Sequence, residues 1–151
     1  MYNIDICKKS GEMINMTRKL ARDMIFKILY QADIQKENYD LIYSINSSEA
    51  KIDAASEKYI LETLHGVEKN IDSINTIISE KSNSWKIDRI SKISLACLKL
   101  GIYEILYSDE IPNAVAINES VNLSKLYESE ESAKFVNGIL SVVLKEKENN
   151  A

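Results

Sequence analysis

The chain has 151 residues with 19 basic and 23 acidic side chains, a net charge of −4, 45% apolar and 28% charged residues. This balance suits one folded domain with a proper core and excludes a disordered chain. No apolar run approaches the roughly 20 residues of a membrane span, and the N-terminus lacks the apolar core of a signal peptide, so a cytoplasmic protein without membrane contact is expected.

One proline and four glycines leave few positions that break helices or form hairpins, which points to an all-α fold. Residues 1–15 show no clear periodicity and carry Lys8 and Lys9. They read either as a flexible extension or as sequence upstream of a start at Met13 or Met16. The first helix opens at Thr17, a residue suited to an N-cap, and runs to about Gln35; Ala21, Met24, Ile25, Ile28, Leu29 and Ala32 recur at helical spacing as its buried face. Residues 39–45 predict a short second helix closed by Asn46, Ser47 and Ser48. Asp53 is placed to cap a long third helix over 53–81, with Ile60, Leu64, Val67, Ile71, Ile74 and Ile78 as its apolar row. Gly66 interrupts that helix at a cost of about 1 kcal/mol, which suggests a close packing point.

Ser82, Asn83 and Ser84 end this helix, and a fourth over 87–107 is apolar nearly all round, as expected of a helix buried among several neighbours. Gly101 in its middle predicts that another helix approaches closely. Pro112 opens a fifth helix that ends near Tyr127. Glu128 to Glu131 reads as an acidic turn, Ser132 as the N-cap, and 133–145 as a sixth helix with Val136, Ile139, Leu140 and Val143 inside. Asn118 and Asn137 interrupt apolar faces and are expected as buried amides that fix helix register.

No catalytic constellation emerges. His65 is the only histidine, set in a periodic helix with no nucleophile beside it in sequence, and no glycine-rich phosphate loop is present. Cys7 and Cys97 lie far apart and fit no metal spacing, so two free thiols and no metal or cofactor are expected. The chain reads as a binder and not an enzyme.

Charge is unevenly spread. Residues 1–36 hold seven basic and four acidic side chains, the remainder twelve and nineteen. A basic end on an acidic body can meet phosphate locally, although charge alone supports a chance imbalance equally well. Arg18, Lys19 and Arg22 cluster at the start of the first helix, and Lys27 follows on the same helix. Guanidinium groups bind phosphate in bidentate fashion and stack on unpaired bases, which suits single-stranded RNA, yet such clusters also serve simply as soluble helix faces. Lys134 and Phe135 offer a second cation–aromatic pair; packing Phe135 in the core is the competing explanation.

Three segments carry a resemblance to a known family: RKLAR at 18–22 with ILYQ at 28–31, LKLGIYE at 98–104, and IPNAVAINESVNLSKLYESEESAKFVNGIL at 111–140. Together they resemble the NusB family of transcription antitermination factors from about Met16 to Leu144. The resemblance implies two small helical bundles packed across each other with six to seven helices, here 16–81 and 85–147 within one domain, preceded by the 1–15 extension and followed by a frayed 148–151 tail. It implies binding of boxA-type single-stranded RNA together with the small-subunit ribosomal protein NusE, within an RNA polymerase antitermination complex on ribosomal RNA operons. Carried over by position, Arg18, Lys19 and Arg22 match the arginine-rich RNA-binding segment, and Lys134 and Phe135 match a second RNA-contacting patch. Lys99 stands where the family often has arginine, and Tyr30 falls in the segment similar to part of the NusE-facing surface. The arginine-rich segment is thinned here, since Leu20 interrupts it and Lys19 lacks a planar fork. That thinning supports a rival expectation, a helical protein-interaction adaptor or homodimer with little RNA affinity. Similar domains precede some ribosomal RNA methyltransferases, but no cofactor-binding α/β domain is expected after residue 145.

Overall fold

A computed structural model describes residues 13–14, 16–48, 50–82 and 87–151. Its described part is almost entirely helical, and the chain divides into two compact units, Met1–His65 and Gly66–Ala151. The expected turn at Asn83 and Ser84, and the 1–12 part of the extension, lie outside the described residues.

In the first unit, strand β1 (Met13–Ile14) pairs in parallel with β2 (Lys51–Ile52), a minimal pairing that the sequence pattern did not signal. Helix α1 (Arg18–Gln35) starts where expected: the Thr17 hydroxyl accepts the Leu20 N–H at 3.1 Å. It stops at Lys36, whose φ of 55° is left-handed and whose N–H returns to the Ala32 carbonyl. Asn38 then caps α2 (Tyr39–Ser47) by accepting the Leu41 N–H at 2.8 Å. Met24, Ile25, Ile28 and Leu29 of α1 and Ile42 of α2 are among the side chains closed off from water. Burying each such chain contributes about 1.5–3 kcal/mol of transfer free energy.

Helix α3 spans Ala54–Lys69 and α4 spans Ile71–Lys81. The single helix expected over 53–81 is thus two, divided at Asn70, whose backbone leaves helical values (φ −106°, ψ 16°). Its side-chain amide donates to the Gly66 carbonyl at 2.8 Å, an interaction that asparagine can make and a longer apolar side chain cannot. The division between compact units also falls within α3.

In the second unit a 3₁₀ turn (Ile87–Arg89) leads to α5 (Lys92–Leu106), capped by Ser91. Helices α6 (Asn113–Tyr127) and α7 (Glu130–Asn149) pack with α5 and with each other. Nearly every α5 residue is buried, as its all-round apolar pattern predicts. The two glycine expectations hold: a Cβ on Gly101 would lie 2.7 Å from Leu140 Cδ1 and 2.9 Å from Ser120 Oγ, and one on Gly66 would meet the Tyr103 ring.

Three expectations about α6 and α7 are corrected. Ser129, not Ser132, caps α7 by accepting the Ser132 N–H, so Glu130 and Glu131 form its first turn, where carboxylates suit the helix dipole. Asn118 and Asn137 are exposed, not buried: Asn118 faces away from the packed face of α6, and Asn137 lies at the edge of that of α7. The C-terminal residues expected to fray are helical through Asn149; Lys147 donates to the Ile105 carbonyl at 2.6 Å and to Asn113 Oδ1 at 3.2 Å.

Candidate nucleic-acid interface

The start of α1 is held by residues distant in sequence. Asp53 receives the Met16 N–H on one carboxylate oxygen at 3.0 Å and the Ser56 N–H on the other at 3.1 Å. The second bond caps the N-terminus of α3, and the first ties the strand entering α1 to it. Ser56 adds a hydroxyl bond to the Met16 carbonyl at 3.4 Å. The Met16 N–H, followed by the bonds from Ser56, holds the Asp53 carboxyl below its ordinary range, because each favours the charged form.

This clamp fixes where the basic cluster sits. The Arg18 guanidinium carbon lies 3.9 Å from the centroid of the Tyr59 ring, and that of Arg22 lies 6.0 Å from it. The two arginines project on the same side, as one helical turn requires, but their surroundings differ. Arg18 and Lys19 are exposed, whereas Arg22 is only 2% exposed. Arg22, expected beside Arg18 as an RNA contact, is packed inward by α1 over Tyr59. Lys27 is bound to Asp23 at 3.0 Å and is not part of an open cationic patch. Beside Arg18 opens a recess of ≈ 260 Å³, lined by Met16, Ala21, Asp53, Ser56 and Tyr59.

A second recess, ≈ 290 Å³, lies in the other compact unit, bordered by Arg89, Ser91, Ser94, Glu128, Ser132 and Phe135. Glu128 Oε1 accepts hydroxyls from Ser91 at 2.9 Å, Ser94 at 3.3 Å and Ser132. One carboxylate of the acidic segment is thereby drawn into a hydrogen-bond cluster that joins the starts of α5 and α7. Glu130 is paired with Lys125 at 3.1 Å. Phe135 is half-buried at the edge of the recess, and Lys134 next to it is exposed. An aromatic face beside an exposed cation is the combination that stacks a base and neutralises a phosphate.

The remaining expected site residues divide. Tyr30 is half-buried on α1 and stacked on Phe26 with centroids 6.4 Å apart. Lys99, expected from the resemblance to contact RNA, is 8% exposed within the most buried helix. Tyr59 is the functional candidate that sequence reasoning missed. Its place on the inward row of α3 marks it as packing, and only the folded chain sets it under Arg18.

His65 is exposed and bonds Asp40 at 2.7 Å, a surface pairing. Among the described residues no group of histidine, cysteine or acidic side chains could hold a metal ion. No described helix is long and apolar enough to cross a membrane. Burial, and then the nearby Glu128 charge, push the Cys97 thiol well above its ordinary pKa, so it is a packed side chain and not a nucleophile.

Comparison with known proteins adds a family context. The NusB family model matches residues 19–145. The transcription antitermination protein NusB of Acetivibrio thermocellus is 42% identical over 132 residues, covering 87% of this chain and 91% of that protein. A crystal structure of T. maritima NusB superposes with a TM-score of 0.82 at 30% identity, over 88% of this chain and 94% of the other. A chain from a crystal structure of antitermination factors NusB and NusE in complex with dsRNA gives a TM-score of 0.78 at 29% identity, over 85% and 96%.

Proposed function

Since the chain belongs to the NusB family, we propose that it is a transcription antitermination factor that grips boxA-type single-stranded RNA together with the ribosomal protein NusE. In this reading it acts in the cytoplasm and supports processive transcription of ribosomal RNA operons within an RNA polymerase antitermination complex. The observation that carries the reading is the clamped start of α1, where Arg18 and Lys19 stand exposed at a fixed position. Immobilising such groups before binding lowers the entropy cost of ordering them at the interface. The similarity to a NusB chain crystallised with NusE and dsRNA supports the partner class.

Arg18, Lys19, Lys134 and Phe135 make the direct contacts in this proposal. Arg22 acts from beneath, adding positive potential behind Arg18, and Lys99 contributes only through the packing of α5. Tyr30 belongs to the NusE-facing surface. The pair of proteins binds RNA more tightly than this chain alone, and RNA tightens the protein–protein contact by the same factor.

The test is a titration of labelled boxA-type RNA with and without NusE across a salt series. Binding that strengthens with NusE, weakens with salt and falls on Lys19→Ala supports the proposal. Capture of NusE with no RNA affinity in either setting replaces it with a protein-interaction adaptor, the reading that the small exposed basic area favours.

A further inference from the structure

Arg18 is exposed while the ring it covers is only 7% exposed. One face of the guanidinium therefore rests on Tyr59, and the solvent-accessible face is the one turned away. A guanidinium carbon 3.9 Å from an aromatic ring's centroid is attracted to the ring's negative face and is partly stripped of water on that side. Arg22, also over the ring, and the Asp53 clamp restrict the helix end that carries it. Such a group is a planar platform as well as a charge.

The recess beside this platform says which part of a nucleotide fits. Asp53 lines it, and its carboxyl is held in the charged form by the Met16 and Ser56 N–H groups. A phosphate entering there would meet a fixed negative charge. A base edge bearing an exocyclic amino group would instead bring a donor toward that fixed negative charge. Stacking on a guanidinium plane combined with hydrogen bonding at the base edge is how unpaired RNA bases are commonly held.

We propose that Arg18, seated on Tyr59, is a stacking subsite for one unpaired amino-bearing base (adenine, guanine or cytosine), and that Tyr59 is its positioning residue. The inference rests on the RNA-binding reading above and deepens it. The subsite depends on planarity at position 18 and on the ring beneath it, not on charge alone.

The experiment measures affinity for boxA-type RNA in the presence of NusE, using RNAs with a single abasic site at each position in turn. Proteins are the wild type, Arg18→Lys, Tyr59→Leu and Tyr59→Phe. Arg18→Lys alters an exposed side chain and keeps the charge, so it tests the idea even if Tyr59→Leu fails to fold. Expected are losses of about tenfold in Arg18→Lys and Tyr59→Leu, the scale of one stacked base, with an unchanged salt slope, and recovery in Tyr59→Phe. At one RNA position, removing the base weakens the wild type but has no further effect on Arg18→Lys. Wild-type affinity in Arg18→Lys, or additive losses at every position, overturns the subsite while leaving RNA binding standing. Absence of salt-dependent RNA binding by the wild type removes both the subsite and the reading beneath it.

Discussion

Replacing glycine by alanine at two helical positions of this chain should change stability in opposite directions. Gly101 lies inside α5, and an added Cβ would approach Leu140 Cδ1 to 2.7 Å, Ser120 Oγ to 2.9 Å and Leu140 Cδ2 to 3.0 Å. Leu140 and Ser120 are themselves fully buried, so neither has free space to retreat into. Over-packing of this kind costs about 1–3 kcal/mol. The gain from alanine's helix propensity returns about 1 kcal/mol, which leaves a net destabilisation of about 1 kcal/mol. Gly138 lies on the exposed side of α7, where a Cβ meets nothing within 4 Å. There only the propensity gain remains, and Gly138→Ala should stabilise by about 1 kcal/mol. The same one-carbon change thus separates the two variants by about 2 kcal/mol, or roughly 4–8 °C in Tm for a domain of this size. Thermal unfolding followed by far-UV circular dichroism reads the difference directly. A Gly101→Ala protein as stable as Gly138→Ala would refute the close approach of α6 and α7 to α5 and the packing argument built on it.

Two further outcomes are expected. Lys36 occupies a left-handed conformation that disfavours any residue with a Cβ by about 1–2 kcal/mol; allowing for glycine's looser unfolded chain, Lys36→Gly should raise the urea midpoint by an amount equivalent to about 0.5 kcal/mol, and a lowered midpoint contradicts the assignment. The Asp53 carboxyl is held below its unfolded value, so its clamp contributes stability that is present above about pH 4 and is lost as pH falls through its lower native value. Asp53→Asn can accept only one of the two N–H bonds and should therefore unfold with a shallower acid dependence than wild type; parallel acid profiles of the two proteins count against the clamp.

Much of the helical frame was legible because local chemistry decides it. Thr17 as a cap, Pro112 before α6 and the all-round apolar pattern of α5 each act within a few residues. Gly66 and Gly101 signalled close approach because no local benefit explains them. What escaped depends on competing local options or on distant partners. Asn70 breaks a helix whose apolar row runs straight through it, and Ser129 outcompetes Ser132 as a cap although both are suitable residues. At the start of α1, spacing correctly put Arg18 and Arg22 on one side of the helix. It could not tell which of them α3 would cover, nor that Lys99 would be enclosed. Tyr59 was illegible as a candidate because its place beneath Arg18 joins two positions far apart in the sequence.

The Asp53 clamp also has a kinetic side. It joins Met16 to a residue 37 positions later, and Ser56 reaches back 40 positions to the same backbone. Closing such a loop comes late compared with the winding of individual helices, and during synthesis it must wait until the start of α3 has left the ribosome. The basic end of α1 is therefore completed after the helix that bears it. Held by a few bonds at one edge, it is also the kind of element that opens locally at low free energy while the remaining backbone stays protected. Amide exchange at Met16 and Ser56 should then run ahead of exchange in the middle of α1, and RNA-binding competence should track that local equilibrium sooner than global unfolding.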